Sequence, residues 1–141
     1  MKLAKRLLLL LALLALAAAC LFAFISHTET QAIADALDAA GVGSAVEGTQ
    51  ADAHFFLVAP TVIHADSGAL YVYQFRFTPL ALWECSSVGH NGFSIGAAMI
   101  DWESEPHFYR KGSTVVQYIG NDQAVLDALE KLLGKPFAGT P

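Results

Sequence analysis

Leu70-Tyr71-Val72-Tyr73-Gln74-Phe75-Arg76-Phe77 is the stretch from which the fold is read. Side chains on a strand alternate between two faces. Tyr71, Tyr73, Phe75 and Phe77 therefore share one side, and Leu70, Val72, Gln74 and Arg76 share the other. The aromatic side is the largest apolar feature of the domain, so it is expected to form the core beneath the helices and to leave the opposite side to solvent. Upstream, Phe55 to Ile63 is mostly apolar but interrupted by Pro60, which suits an edge or bulged strand. Asp66-Ser67-Gly68 is a turn signal between the two runs, and the short gap predicts a hairpin.

Working outward, Thr78-Pro79 reads as an N-cap followed by proline at the first helical position, opening a short helix to about Val88. Gly89 stops it and Asn91-Gly92 turns the chain. Ala97 to Trp102 and Ser113 to Ile119 are two further strand candidates. The connection between them, through Glu103-Ser104-Glu105-Pro106 and Arg110-Lys111-Gly112, reads as too irregular for a tight two-residue turn. Asn121-Asp122 caps a last helix whose stripe is Val125, Leu126, Leu129, Leu132 and Leu133, ended by Gly134 and Pro136. Near the other end, Ser26-x-x-Glu29 and Thr28-x-x-Gln31 are overlapping capping-box patterns. Ile33, Ala36, Leu37 and Ala40 follow at helical spacing, and Gly41 offers a left-handed stop. The order α-ββ-α-ββ-α predicts an α+β domain: a four-stranded, mainly antiparallel sheet with helices on one face.

The N-terminus sets an address. Lys2, Lys5 and Arg6 precede nineteen uncharged residues from Leu7 to Ile25. As a helix rising ~1.5 Å per residue this run is about 28 Å long, close to the hydrocarbon thickness of a bilayer. Three fates compete. The run can stay as an uncleaved anchor with its N-terminus in the cytoplasm. Cys20, after Ala17-Ala18-Ala19, can be the lipidated residue of a lipoprotein signal. Cleavage after Ala19 satisfies the small-x-small rule of an ordinary signal peptide. Residues 1–26 are accordingly assigned to a signal or membrane-anchor segment and 27–141 to a single extracytoplasmic domain of about 115 residues, enough for one core. The expected location is the extracytoplasmic face of a bacterial cell membrane.

Outside that segment Arg76, Arg110, Lys111, Lys131 and Lys135 stand against thirteen acidic residues, a net charge of −8. A domain so acidic is expected to be repelled by nucleic acid and by anionic lipid. Cys85 is the one cysteine beyond the signal region, so the folded part has no internal disulfide, and it reads as a small buried hydrophobe.

The C-terminal third carries a resemblance. Pro106-His107-Phe108-Tyr109-Arg110-Lys111-Gly112, Val115-Val116-Gln117-Tyr118-Ile119-Gly120-Asn121-Asp122, Leu129-Glu130-Lys131-Leu132-Leu133-Gly134 and Pro136-Phe137-Ala138-Gly139 are together similar to a group of small exported bacterial proteins and lipoproteins. Val46 to Gln74 shares the likeness more loosely. The resemblance implies an extracytoplasmic, membrane-associated protein and no particular activity. It breaks from Arg76 to Gly92, where the group's pattern is an alanine-rich acidic helix and this chain has Phe77-Thr78-Pro79-Leu80-Ala81-Leu82-Trp83-Glu84-Cys85. Local divergence and a compensated frameshift are the two readings of that break.

Chemistry-bearing residues are sparse. Asp52-x-His54 and His64-x-Asp66 each set a carboxylate and an imidazole on the same side of an extended chain, a donor set that suits zinc if the chain bends back at Pro60. Glu103-x-Glu105-x-His107, beside Asp101, Trp102 and Tyr109, is a second cluster, on a segment shaped by Pro106 and suited to a ligand or interaction site. No Gly-x-Ser-x-Gly, phosphate loop, His-Glu-x-x-His or Cys-x-x-Cys is present, so neither an enzyme nor a cofactor is expected. The reading is a membrane-tethered interaction or structural module with a protein or small-molecule partner. The alternative is a small ligand- or metal-binding exported protein. A contiguous exposed apolar patch would favour the first. A concave pocket where His107, Tyr109 or Trp102 meets carboxylates would favour the second.

Overall fold

The structure, a computed structural model, describes residues 2–49 and 55–140. Its elements in chain order are α1 (Lys2–Ala39), β1 (Ser44–Thr49), β2 (Thr61–Ala65), β3 (Gly68–Gln74), α2 (Thr78–Cys85), β4 (Ser94–Ile95), β5 (Ala98–Met99), β6 (Pro106–Lys111), β7 (Thr114–Ile119), α3 (Gln123–Leu133) and β8 (Ala138–Gly139). Among the described residues the fold is α+β, with three helices and a six-stranded sheet in the order β1-β2-β3-β7-β6-β8. Every neighbouring pair in that sheet is antiparallel. The sheet thus has six strands where the sequence reading has four.

α1 is one helix of 38 residues, about 57 Å long at ~1.5 Å per residue. The capping boxes at Ser26 and Thr28 do not start a new helix. Instead the Thr28 hydroxyl donates back to the Phe24 carbonyl at 2.9 Å, as Ser and Thr do inside helices. No glycine or proline interrupts the chain between Lys2 and Ala40, so nothing breaks the ladder. Gly41, at φ +79°, ends it, and the Val42 N–H closes onto the Leu37 carbonyl at 3.0 Å. α3 behaves as its stripe predicts: Asp122 caps it by accepting from the Ala124 N–H at 2.9 Å, and Val125 and Leu129 are buried.

Both faces of the sheet are covered, which corrects the expected one-sided packing. α1 and α3 lie over Leu70, Val72, Val116 and Tyr118, with Ile33 and Leu37 of α1 in the same cluster. The Leu70 and Val72 face is therefore a dry core, not the solvated side. The aromatic face carries a second cluster of Tyr73, Phe75, Phe108 and Val115, roofed by α2 through Ala81 and Cys85 and by the segment before β2 through Phe56. Phe56 stands edge-on to Tyr73 at 4.8 Å between ring centres. α2 starts one residue earlier than its cap was read: Phe77 is the N-cap and its side chain accepts no capping bond, with Thr78 and Pro79 in the first turn. The segment that departs from the resembled pattern thus folds as a packed helix.

Two strand boundaries move for identifiable reasons. β2 starts at Thr61 and not at Phe55, because Pro60 has no N–H to give a ladder. The partner of β7 is β6, Pro106–Lys111, and not Ala97 to Trp102, of which only Ala98–Met99 pairs, with β4. Pro106 to Tyr109 are all buried, so β6 shows none of the alternation that marks a half-buried strand. The β6–β7 connection is in fact a tight two-residue turn, Gly112-Ser113, closed by the Lys111–Thr114 pair, with Gly112 at φ +59°. The predicted β2–β3 hairpin is present, turning at Asp66-Ser67 between Ala65 and Gly68.

Leu37 is fully buried where α1 meets the sheet. Leu37→Ala is expected to cost the domain about 2–5 kcal/mol, read as a lowered urea midpoint. A loss under about 0.5 kcal/mol, the range of ordinary surface changes, would show that α1 does not close the core.

Candidate functional site

The register β3–β7 sets Tyr71 opposite Gln117 on the aromatic face. At the end of the sheet formed by the β2–β3 turn, this face is not roofed by α2. It opens instead into a cleft of about 620 Å³. Tyr71, Tyr73, Gln117 and Ile119 form the floor. Phe55, the turn residues Ser67 to Ala69 and the segment Asp101 to Ser104 form the walls. Gln117 is buried, and its Oε1 accepts a hydrogen bond from the Tyr73 hydroxyl at 3.1 Å. Burial, with Tyr71 nearby, keeps the Tyr73 phenol protonated far above its usual range.

Trp102 is fixed in the wall. Its Nε1–H donates to the Gly92 carbonyl at 2.9 Å, and its ring stands edge-on to Phe55 at 5.4 Å and to Phe108 at 6.5 Å. Gly92 sits at φ +77°, close under Pro106 and Gly139, so the turn that holds Trp102 is built for a residue without a side chain. Asp101 and Glu103 flank Trp102, both exposed and both lining the cleft. The arrangement is an aromatic trough with two carboxylates on its lip, suited to a cation that also carries apolar surface.

The expected cluster of Glu103, Glu105 and His107 is split. Period-two geometry holds only inside a strand, and β6 begins at Pro106, so the two glutamates lie on a bent, exposed segment before it. His107 points to the other side of the sheet, 3 % exposed and stacked on Tyr118 at 6.2 Å. Among the described residues its Nε2 has no hydrogen-bond partner. Burial pushes the imidazole below its ordinary value, against weaker opposing pulls from Glu105 and the backbone at Gly120 and Thr140. Tyr109 shares that side and is core, its phenol pushed up to about 12 by burial and by Glu130. The structure therefore brings Trp102 and Glu103 together at the cleft and removes His107 and Tyr109 from it.

The other candidates separate too. His64 is exposed on β2 and meets Glu47 across the β1–β2 ladder at 2.6 Å. Asp66 caps the turn, accepting from the Gly43 N–H at 3.2 Å. Asp52 and His54 lie outside the described residues. Among the described residues no three His, Cys, Asp or Glu side chains are gathered for a metal. Cys20 is exposed on α1, and Cys85 is buried under α2 with its thiol pushed up to about 11 by burial. Phe55, Tyr71 and Gln117 were missed as site residues. The alternation of β3 already placed Tyr71 beside Tyr73, but which end of that face lies open is a tertiary fact. No protein-family model, curated protein or solved structure matches the chain.

His107 makes stability pH-dependent, with a definite sign. Above its ordinary value near 6.5, neither the folded nor the unfolded state holds the proton. As pH falls below that value the unfolded chain binds a proton that the buried ring resists, so stability drops. His107→Phe keeps a ring against Tyr118 and should flatten the fall in urea midpoint between about pH 7.5 and about pH 5.5. An equally steep fall in the variant would place the proton elsewhere.

Proposed function

We propose that this chain is a single-pass membrane protein whose extracytoplasmic head captures a cationic, partly apolar ligand, such as a quaternary ammonium or a basic side chain, in the cleft at Trp102. The observation that carries this is the meeting of Trp102 with Asp101 and Glu103 over an aromatic floor. A cation over such rings gains about 0.5–2 kcal/mol, and two exposed carboxylates add an attraction that salt weakens. The protein-interaction reading finds less support in the sheet. Both faces are covered, and the free edge β1 is blunted by a bulge between Val46 and Gly48 and by Glu47.

Anchoring by a spanning helix is supported by α1, which is long and apolar enough to cross a bilayer and runs unbroken through Cys20. Lipoprotein processing would instead cut the chain at Cys20. Labelling cells with a palmitate analogue should leave both wild type and Cys20→Ala unlabelled. A wild-type label lost in the variant would replace the spanning helix with a lipid anchor.

Benzyltrimethylammonium titrated into the protein should bind with a dissociation constant on the order of 1 mM, and Asp101→Asn with Glu103→Gln should weaken it about tenfold. Trp102→Ala should weaken it comparably. Unchanged affinity in both variants would remove the cleft from the reading.

A further inference from the structure

We propose that the head does not stand off the bilayer but lies down on it, with the outer face of α2 seated in the headgroup layer of the membrane that α1 crosses. This rests on the reading of α1 as an anchor. α2 carries apolar side chains on both sides, with Glu84 turned inward among them. Ala81 and Cys85 face the sheet, while Leu82 and Trp83 face outward, 48 % and 65 % exposed. Phe77 at its start and Leu57 beside it extend the patch, 65 % and 69 % exposed; the Leu57 N–H is bonded to Glu84 of α2. An exposed apolar face of this kind ordinarily marks a surface that something covers.

What covers this face is indicated by the contact next to it. The Arg76 guanidinium lies over the Phe22 ring at 5.8 Å. Phe22 belongs to the apolar run of α1, three residues short of its end at Ile25, which is only about 4–5 Å along the helix. The residue that precedes Phe77 is therefore held where that run leaves the hydrocarbon. Aromatic side chains prefer that depth, and basic ones there meet lipid phosphate.

Charge agrees. Gln74, at the end of β3, pairs with Thr114, and Thr114 pairs with Lys111, so Arg76, Arg110 and Lys111 gather at the end of the sheet nearest Phe22. Among the described residues Glu29 and Glu84 are acidic groups near this end, one bonded to Thr114 and the other buried under Leu57, and Glu130 stands on α3 two residues before Leu132, whose carbonyl accepts from Lys111. Asp66, Asp101, Glu103 and Glu105 lie at the opposite end, beyond Gly68, Ile119 and Pro106. The overall −8 hides a head with a basic foot.

The test uses full-length protein carrying Trp102→Phe, so that Trp83 is the one tryptophan, reconstituted in vesicles of equal parts phosphatidylcholine and phosphatidylglycerol. Flotation after alkaline carbonate reads α1 insertion separately. Expected are co-flotation, a blue-shifted Trp83 emission, and quenching by lipid brominated high on the acyl chain. Replacing phosphatidylglycerol with phosphatidylcholine, or Arg110 and Lys111 with Glu, should cut that quenching by about half or more. A nitroxide on Leu57→Cys, in a Cys20→Ser background, should be more accessible to oxygen than to a water-soluble nickel chelate. Flotation with an unquenched, water-like Trp83 and a nickel-accessible Leu57 site overturns the docking and leaves the anchor standing. Blue-shifted emission without bromine quenching assigns the face to a second copy and also overturns it. Failure to float removes the anchor and this inference together.

Discussion

One unbroken helix joins the apolar N-terminal run to the folded head, and the rest of the structure depends on that. From Ala4 to Phe24 the side chains of α1 are exposed almost all round, and the run is long and apolar enough to cross a bilayer. From Thr30 the same helix buries Thr30, Ile33, Ala34 and Leu37 against the sheet. No joint separates the two regimes. A swinging tether would need a Gly- or Ser-rich break, and here the polar residues between Ser26 and Gln31 remain in the ladder. The direction of the apolar run and the orientation of the head are thus one variable.

Covering both faces of the sheet carries a second constraint. β7, the central strand, is buried from Thr114 to Tyr118, so each of its polar side chains must find a partner inside. Gln117 takes the Tyr73 hydroxyl, and Thr114 bonds to Gln74 and to Glu29 of α1. The last contact ties the central strand to α1 close to where that helix enters the head. The arrangement is not fully satisfied: Gln74 Nε2 and His107 Nε2, among the described residues, stay without partners. An unpaired buried nitrogen costs about 1–3 kcal/mol, and the His107 ring meets that cost while stacked on Tyr118.

The sequence made some of this legible and concealed the rest for physical reasons. α3, the β2–β3 hairpin and the alternation of β3 were readable because capping, turn chemistry and period-two patterning are local. β1 was not, because Ser44-Ala45-Val46-Glu47-Gly48-Thr49 is a short, mostly exposed edge with a bulge and carries no hydrophobic signature. β6 was hidden by the opposite cause: burial on both sides erased its alternation. The side of β3 that is dry could not be read either, since alternation says which residues share a face and not what lies over it. Trp102 and Glu103 were reachable from the loop sequence. Tyr71, Gln117 and Phe55, which complete the cleft, come from three separate segments that only the fold assembles.

Net charge alone conceals how the charges are arranged. Summed over the head it is −8, which predicts repulsion from any anionic surface. Resolved along the sheet it is a polarity, with Arg76, Arg110 and Lys111 at the anchor end and Asp101, Glu103 and Glu105 at the cleft end. A six-residue strand spans about 20 Å, more than twice the ~8 Å screening length at physiological ionic strength. The two ends therefore do not cancel, and each responds to its own surroundings. On the proposed seating the basic end meets lipid phosphate, while the acidic end projects away and keeps its field for cations in solution. A cleft for cationic ligands placed against the bilayer would compete with every anionic headgroup for the same ligand. At the far end of the strands, as proposed, it would compete with few.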